Sequence, residues 1–218
     1  MSADVLFSDD QILVINKPAG IPVLPDGWEK DAPYLARELE GTFGKLWIVH
    51  RLDKVTSGVM VFARNASAHR SLNGQFERHD ARKIYHALLV GDPKWETHIA
   101  RHPLRINVGH THHTVVDHAK GKPSETAFRL LERFGNACLV EAAPGTGRTH
   151  QIRVHAYALG YPLLGDRLYS APETDLIGRP ALHALSLAFV HPGSGEKLDF
   201  SAPYPADFKK ALDSLRKA

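Results

Sequence analysis

The arrangement of apolar runs limits the fold of this chain more than any other feature. "DVLF", "ILVIN", "LWIVH", "GVMVFA", "KIYHALLVG", "TAFRLLERF", "CLVEAA" and "LHALSLAFVHP" are short and rich in Val, Ile, Leu and aromatic residues, as strands are. Helical patterns are fewer and do not alternate regularly with these runs. A doubly wound parallel sheet requires that alternation, so an α+β arrangement is expected instead. "DVLF" and "ILVIN", parted by Ser8, Asp9 and Asp10, read as a hairpin, whereas the Pro and Gly density of "KPAGIPVLPDG" makes it a loop. Three segments read as helices. "APYLARELEGTFG" sets Leu35 and Leu39 four apart, and "ASAHRSLNGQFERH" follows Asn65 as an N-cap with Leu72 and Phe76 on one face. "THQIRVHAYALG" groups Ile152, Ala156 and Leu159, with Thr149 expected as its cap and Gly160 as its stop. "THIARHPLRINVGHTHHTVVDHAKGKPS" is polar, His-rich and irregular, and is expected to be a long loop or an extended hairpin.

Composition narrows the function classes. A chain of 218 residues with 43% hydrophobic residues can bury a continuous core as one large domain or two small ones. A single cysteine, Cys138, leaves no internal disulfide and no thiolate metal cage; it is expected as core packing in a reducing, cytoplasmic compartment. No run approaches the roughly 20 apolar residues of a membrane-spanning helix, and the start, "MSADVLFSDDQ", carries acids where a signal peptide has bases. A net charge of +3 with 14 histidines permits a nucleic-acid partner without requiring one.

The Gly-rich "PGTGRTHQIRVH" opens a helix but lacks the Lys of a Walker loop and the third Gly of a Rossmann turn, so no nucleotide cofactor is expected. Arg148 and His150 put positive charge at a helix start, against the macrodipole, which points to an anion nearby. Solvated surface positions for Arg148 and Arg153 are the plainer alternative. His110, His112, His113, Asp117 and His118 invite a metal reading, yet they sit on irregular chain rather than on the regular elements that preorganise zinc ligands; no metal is expected. "HRLD" differs in order from a kinase loop, and no G-x-S-x-G elbow is present. What remains is Asp53, set between the basic pair His50 and Arg51 and the run Thr56, Ser57, Gly58. If Asp53 meets the basic segment Arg148 to Arg153 in a cleft, an Arg could hold it ionised as a nucleophile.

In combination and in order, "INKPAGIPV", "HRLDKVTSGVMVFA", "RKIYHALLVG", "KPSETAFRLL", "GRTHQIRVHAYALGYPLLGD" and "LHALSLAFVHP" resemble the RluA-type pseudouridine synthases over nearly the whole chain. The resemblance implies isomerisation of uridine to pseudouridine in RNA without a cofactor. It implies an α+β pseudouridine synthase fold with a mixed, largely antiparallel central sheet flanked by helices and loops, and an active cleft where Asp53 and Arg153 meet. It places the family's nucleophile at Asp53, its base-stacking Tyr at Tyr85 and its carboxylate-pairing Arg at Arg153. Arg51 corresponds to the residue that helps displace the target base, with a phosphate contact as the alternative. Lys83 and Leu164 fall near the family's cleft, and His50, Arg148 and His150 are further expected RNA contacts. Because the catalytic motifs begin almost at residue one, residues 1–218 are expected to form a single catalytic domain without a separate RNA-binding domain. Such a protein is expected to be a cytoplasmic monomer acting on a stem-loop of transfer RNA, large-subunit ribosomal RNA, or both. Two rivals are a non-catalytic RNA-binding protein on the same fold and a metal-dependent hydrolase built on the His-rich segment.

Overall fold

A computed structural model describes residues 3–25, 33–108 and 113–217. Its elements, in chain order, are β1 (Asp4–Ser8), β2 (Ile12–Lys17), α1 (Leu35–Phe43), β3 (Trp47–Ile48), β4 (Ser57–Ala63), α2 (Ala66–Glu77), β5 (Arg82–Val90), β6 (Thr97–Ala100), β7 (Leu104–Val108), β8 (His113–Val116), β9 (Thr126–Arg133), β10 (Ala137–Pro144), α3 (Gln151–Ala158), β11 (Leu182–Val190), β12 (Lys197–Ser201) and α4 (Ala206–Leu215). A short 3-10 turn, Arg167–Tyr169, follows α3. The class is α+β, as the irregular mixture of runs predicts. The chain divides into two compact units: Met1–Lys83 with Ala184–Pro203, and Ile84–His183 with Tyr204–Ala218.

In the first unit β1 pairs antiparallel with β2, β2 with β4 and β3 with β4, while β11 pairs antiparallel with β12. The turn between β1 and β2 is tied by Asp9, whose carboxylate accepts from the amides of Gln11 and Ile12 at 2.8 Å each. Every residue of β4 is buried, so its run reads as continuously apolar rather than alternating. Val59, Val61 and Ala63 share one face with Ile12 and Val14, and α2 covers them with Ala68 and Leu72. The expected cap of α2 is present: the Asn65 side chain accepts from the Ala68 amide at 2.9 Å.

In the second unit β5, β10, β9 and β6 are neighbours in that order, each pairing antiparallel. Period-two alternation sorts their side chains to two cores. Ala87 and Leu89 of β5 and Cys138, Val140 and Ala142 of β10 meet Ile152 and Ala156 of α3. Leu88 of β5 and Ala137 and Leu139 of β10 meet Phe208, Ala211, Leu212 and Leu215 of α4 on the opposite side. Burial of each large apolar side chain contributes about 1.5–3 kcal/mol, and Cys138, fully buried, has its thiol pushed up to about 12 by desolvation, as an inert packing residue should.

The His-rich stretch takes the extended-hairpin form of the two expected and adds a further strand. It contains β6, paired to β9, and an antiparallel hairpin of β7 and β8. His110 and His112 lie outside the described residues. Asp117 spends its carboxylate on the amides of Ala119 and Lys120 and on Arg105 at 2.8 Å, which fixes the turn after β8. Among the described residues no group of three His, Cys, Asp or Glu side chains is arranged to hold a metal ion.

Candidate active site

In the first unit Asp53 stands in the turn between β3 and β4, where the Thr56 amide donates to the Asp53 carbonyl at 3.0 Å. Asp53 is half-buried and Arg51 is exposed. The turn rests on Lys17, at the end of β2. The Lys17 side chain has no solvent exposure, and its ammonium donates to the carbonyls of Pro18 at 2.8 Å, Thr56 at 3.0 Å and Lys54 at 3.3 Å. The Gly20 amide donates to the same Lys54 carbonyl at 2.7 Å, so "INKPAG" wraps the segment that follows Asp53.

The sequence "TSG" after that turn has a steric cause. Gly58 has φ of 120°, and a Cβ there would lie 2.1 Å from the Ala184 carbonyl oxygen of β11. Only glycine allows β4 to start so close to β11.

His50 is a strut. Its Nε2 accepts from the Val61 amide of β4 at 3.1 Å, and its ring stacks on Phe76 of α2 with centroids 4.7 Å apart. Burial pushes its pKa down to about 3, with the Lys83 charge adding in the same direction. A neutral imidazole bonded to backbone orients the turn rather than attracting phosphate. Lys83, half-buried at the start of β5, has its own pKa lowered by desolvation.

In the second unit Tyr85 is half-buried on β5, opposite Ala142 of β10, and packs against the core that α3 closes. Leu164 is 7% exposed and sits in the core with Leu88 and Phe208, so its side chain packs there rather than lining the surface. Arg148 is exposed, and Arg153, five residues on, is 4% exposed. The surface alternative therefore fits Arg148 and not Arg153. The Arg153 guanidinium donates from Nε to Asp166 Oδ2 at 2.7 Å and from Nη2 to Oδ1 at 2.8 Å, a bidentate pair in which Asp166 has no exposure.

The start of α3 differs from expectation. Thr149 does not cap it: the N-cap position is His150, in the left-handed region at φ 55° and without a side-chain cap bond. Gln151 does the tying instead. Its Oε1 accepts from the Arg148 amide at 3.1 Å and the Thr146 hydroxyl at 2.6 Å, while its Nε2 donates to the Glu125 carbonyl at 2.8 Å and to Thr126 Oγ1 at 3.0 Å. These four bonds hold the Gly-rich loop to β9. His150 Nδ1 lies 2.9 Å from the Tyr169 hydroxyl, and the Tyr169 ring lies under the Arg153 guanidinium with Cζ 5.0 Å from its centroid.

Sequence reasoning did not single out Lys17, Gln151, Asp166 or Tyr169. The first three lie inside quoted motifs, in "INKPAG", "THQIRVH" and "GYPLLGD"; a lone charge among mostly apolar neighbours was the available signal for Asp166, and none marked Gln151 within its polar motif.

Residues 11–158 match the family described as RNA pseudouridylate synthase. Ribosomal large subunit pseudouridine synthase C of Vibrio cholerae is 40% identical over 221 residues, covering 98% of this chain and 70% of that protein. Ribosomal large subunit pseudouridine synthase D of Zymomonas mobilis is 36% identical over 229 residues, covering 97% and 72%. The structure of human RNA pseudouridylate synthase domain containing 4 superposes with a TM-score of 0.77 at 28% identity, over 98% of this chain and 93% of that one. The fold is thus that of pseudouridylate synthases, and the chain belongs to the RNA pseudouridylate synthase family. It is an isomerase whose partner is RNA.

Proposed function

We propose that this protein converts specific uridines of large-subunit ribosomal RNA to pseudouridine, with Asp53 as the nucleophile. The observation that carries the site reading is the turn itself: half-buried Asp53 stands on a backbone segment that the buried ammonium of Lys17 anchors before any substrate arrives. The names of the Vibrio cholerae and Zymomonas mobilis relatives, both ribosomal large subunit synthases, favour ribosomal over transfer RNA.

The chemistry requires the uridine to leave its stack, which costs a few kcal/mol and favours an aromatic platform for the extruded base. Tyr85 supplies that platform, and Arg51 fills the gap left in the stack. The Asp53 carboxylate assists cleavage of the glycosidic bond by attack on the sugar or on the base. The uracil rotates, ring carbon five bonds to the sugar carbon that N1 has left, the bond to Asp53 breaks, and carbon five loses a proton while N1 takes one up. Arg153 supplies a fixed, buried guanidinium to the reaction, and Lys83, Arg148 and His150 contribute positive or hydrogen-bonding contacts along the RNA. No cofactor enters these steps. We assign the protein to the cytoplasm as a monomer that grips an RNA stem-loop.

The test is to incubate the protein, in chelator, with unmodified transcripts of large-subunit ribosomal RNA and of transfer RNAs, and to map pseudouridine at single-nucleotide resolution. New sites in the ribosomal transcript support the reading. Sites confined to transfer RNA would move the substrate to that class, and no site in either would contradict it.

A further inference from the structure

Arg153 emerges from a short helix on which it is one of six consecutive buried residues, Gln151 to Ala156. An Arg side chain carries several rotatable bonds, so a helical backbone alone does not set the plane of its guanidinium. Two residues of the segment Asp166 to Tyr169 do. Asp166 takes Nε and Nη2 in a bidentate pair, which fixes both the position and the rotation of the fork. Tyr169, 4% exposed, places its ring beneath the same guanidinium, with Cζ 5.0 Å from the ring centroid.

Both residues are themselves anchored. Asp166 is preceded by Gly165, at φ 76°, where a Cβ would lie 2.4 Å from the Arg179 carbonyl oxygen, so the approach of this segment to residue 179 demands glycine. The Tyr169 hydroxyl accepts from the Thr114 amide at 3.1 Å and donates to the Thr114 carbonyl at 3.2 Å. A hydroxyl has one proton, so His150 Nδ1, 2.9 Å away, must then carry the hydrogen of that contact. Tyr169 therefore fixes the ring of a residue whose backbone is in the left-handed region, a conformation that persists where surrounding contacts enforce it.

We propose that Asp166 and Tyr169 are positioning residues for the isomerisation: Asp166 sets the plane of the Arg153 guanidinium, and the Tyr169 ring, from the same segment, supports it. This rests on the role given above to Arg153. Buried pairs of this kind are weak contributors to net stability, so the pair is better explained by orientation than by the energy it adds to the fold.

The test compares Arg153→Ala, Asp166→Asn, Tyr169→Phe and Tyr169→Leu in single-turnover kinetics on an RNA substrate, with RNA dissociation constants measured in parallel. Assays are run below the melting transition of each variant. Asp166→Asn replaces one acceptor oxygen with a donor facing an N–H group, and its rate constant is expected to fall at least 30-fold with RNA affinity within threefold of wild type. Tyr169→Phe keeps the ring but loses the hydroxyl bonds to Thr114 and His150, so its rate is expected to fall several-fold less than that of Tyr169→Leu, which should lose at least tenfold. A folded Asp166→Asn variant with a wild-type rate would overturn the proposal. Should Asp166→Asn not fold, the Tyr169 pair decides: equal rates for Phe and Leu overturn it, and the expected contrast supports it. Failure of the underlying reading is distinguishable, because Arg153→Ala would then itself keep the wild-type rate.

Discussion

The Lys17 ammonium donates to the Thr56 carbonyl at 3.0 Å, joining residues 39 apart in the chain at a position with no solvent exposure. A lysine is almost never fully buried unless its charge is satisfied, and here three carbonyl oxygens around the Asp53 turn satisfy it. Lys17→Met keeps the length and apolar stem but removes the donors. Leaving the Pro18 and Thr56 carbonyls without this partner should cost about 2–4 kcal/mol of stability, read by urea denaturation, and should lower turnover more than RNA affinity. An unchanged denaturation midpoint would show that the lysine is not the anchor.

Gln151 is the corresponding tie in the second unit. Gln151→Glu is close to isosteric but at neutral pH loses both donors to Glu125 and Thr126 and buries a charge. Stability should drop by about 2–4 kcal/mol at pH 7. The deficit should narrow on acidification, since a protonated carboxyl regains one donor; a deficit independent of pH would argue against this bonding.

Gly58 and Gly135 separate two reasons for glycine. Both have positive φ, but a Cβ at Gly135 meets nothing within 4 Å, whereas one at Gly58 meets the Ala184 backbone. Gly135→Ala should cost about 1 kcal/mol, the backbone term alone. Gly58→Ala adds overpacking and should cost about 3 kcal/mol or more, or prevent folding. Equal melting temperatures for the two variants would contradict the close approach of β4 and β11.

His50 should remain neutral where an ordinary imidazole titrates. Its pKa is held at about 3, against about 6.5 in an unfolded chain, so between these values the unfolded state binds the extra proton. The His50 contribution to stability is therefore complete above pH 6.5 and is lost progressively as pH falls toward 3. The His50 ring signals followed by NMR from pH 8 to 4.5 should show no midpoint; one near 6 would mean that the Val61 bond and burial do not hold it neutral.

Much of this arrangement was legible in the sequence because it depends on local pattern. The hairpin of β1 and β2, the Leu35 and Leu39 spacing of α1 and the Asn65 cap of α2 all follow from residues within a few positions of each other. The start of α3 shows where local reading stops. Thr149 has the chemistry of a cap, yet the loop is tied by Gln151 to β9, 25 residues earlier, a partner no local window contains. Arg148 and Arg153 are likewise indistinguishable as letters, and only the returning segment at Asp166 buries one and leaves the other in solvent. The His-rich stretch hid β6 because its strand pairs with β9 on one side only and carries little apolar patterning.

The role of Asp53 is tested most directly by release of tritium from RNA labelled at carbon five of uridine, because bond formation at that carbon must expel its hydrogen. Wild-type protein and Asp53→Asn are compared in chelator at RNA concentrations where direct binding measurements show both saturated. Wild type should release tritium in step with pseudouridine formation, while Asp53→Asn should bind RNA within about threefold of wild type and release none above background. Tritium release by Asp53→Asn at a rate near wild type would contradict the assignment of Asp53 as the nucleophile.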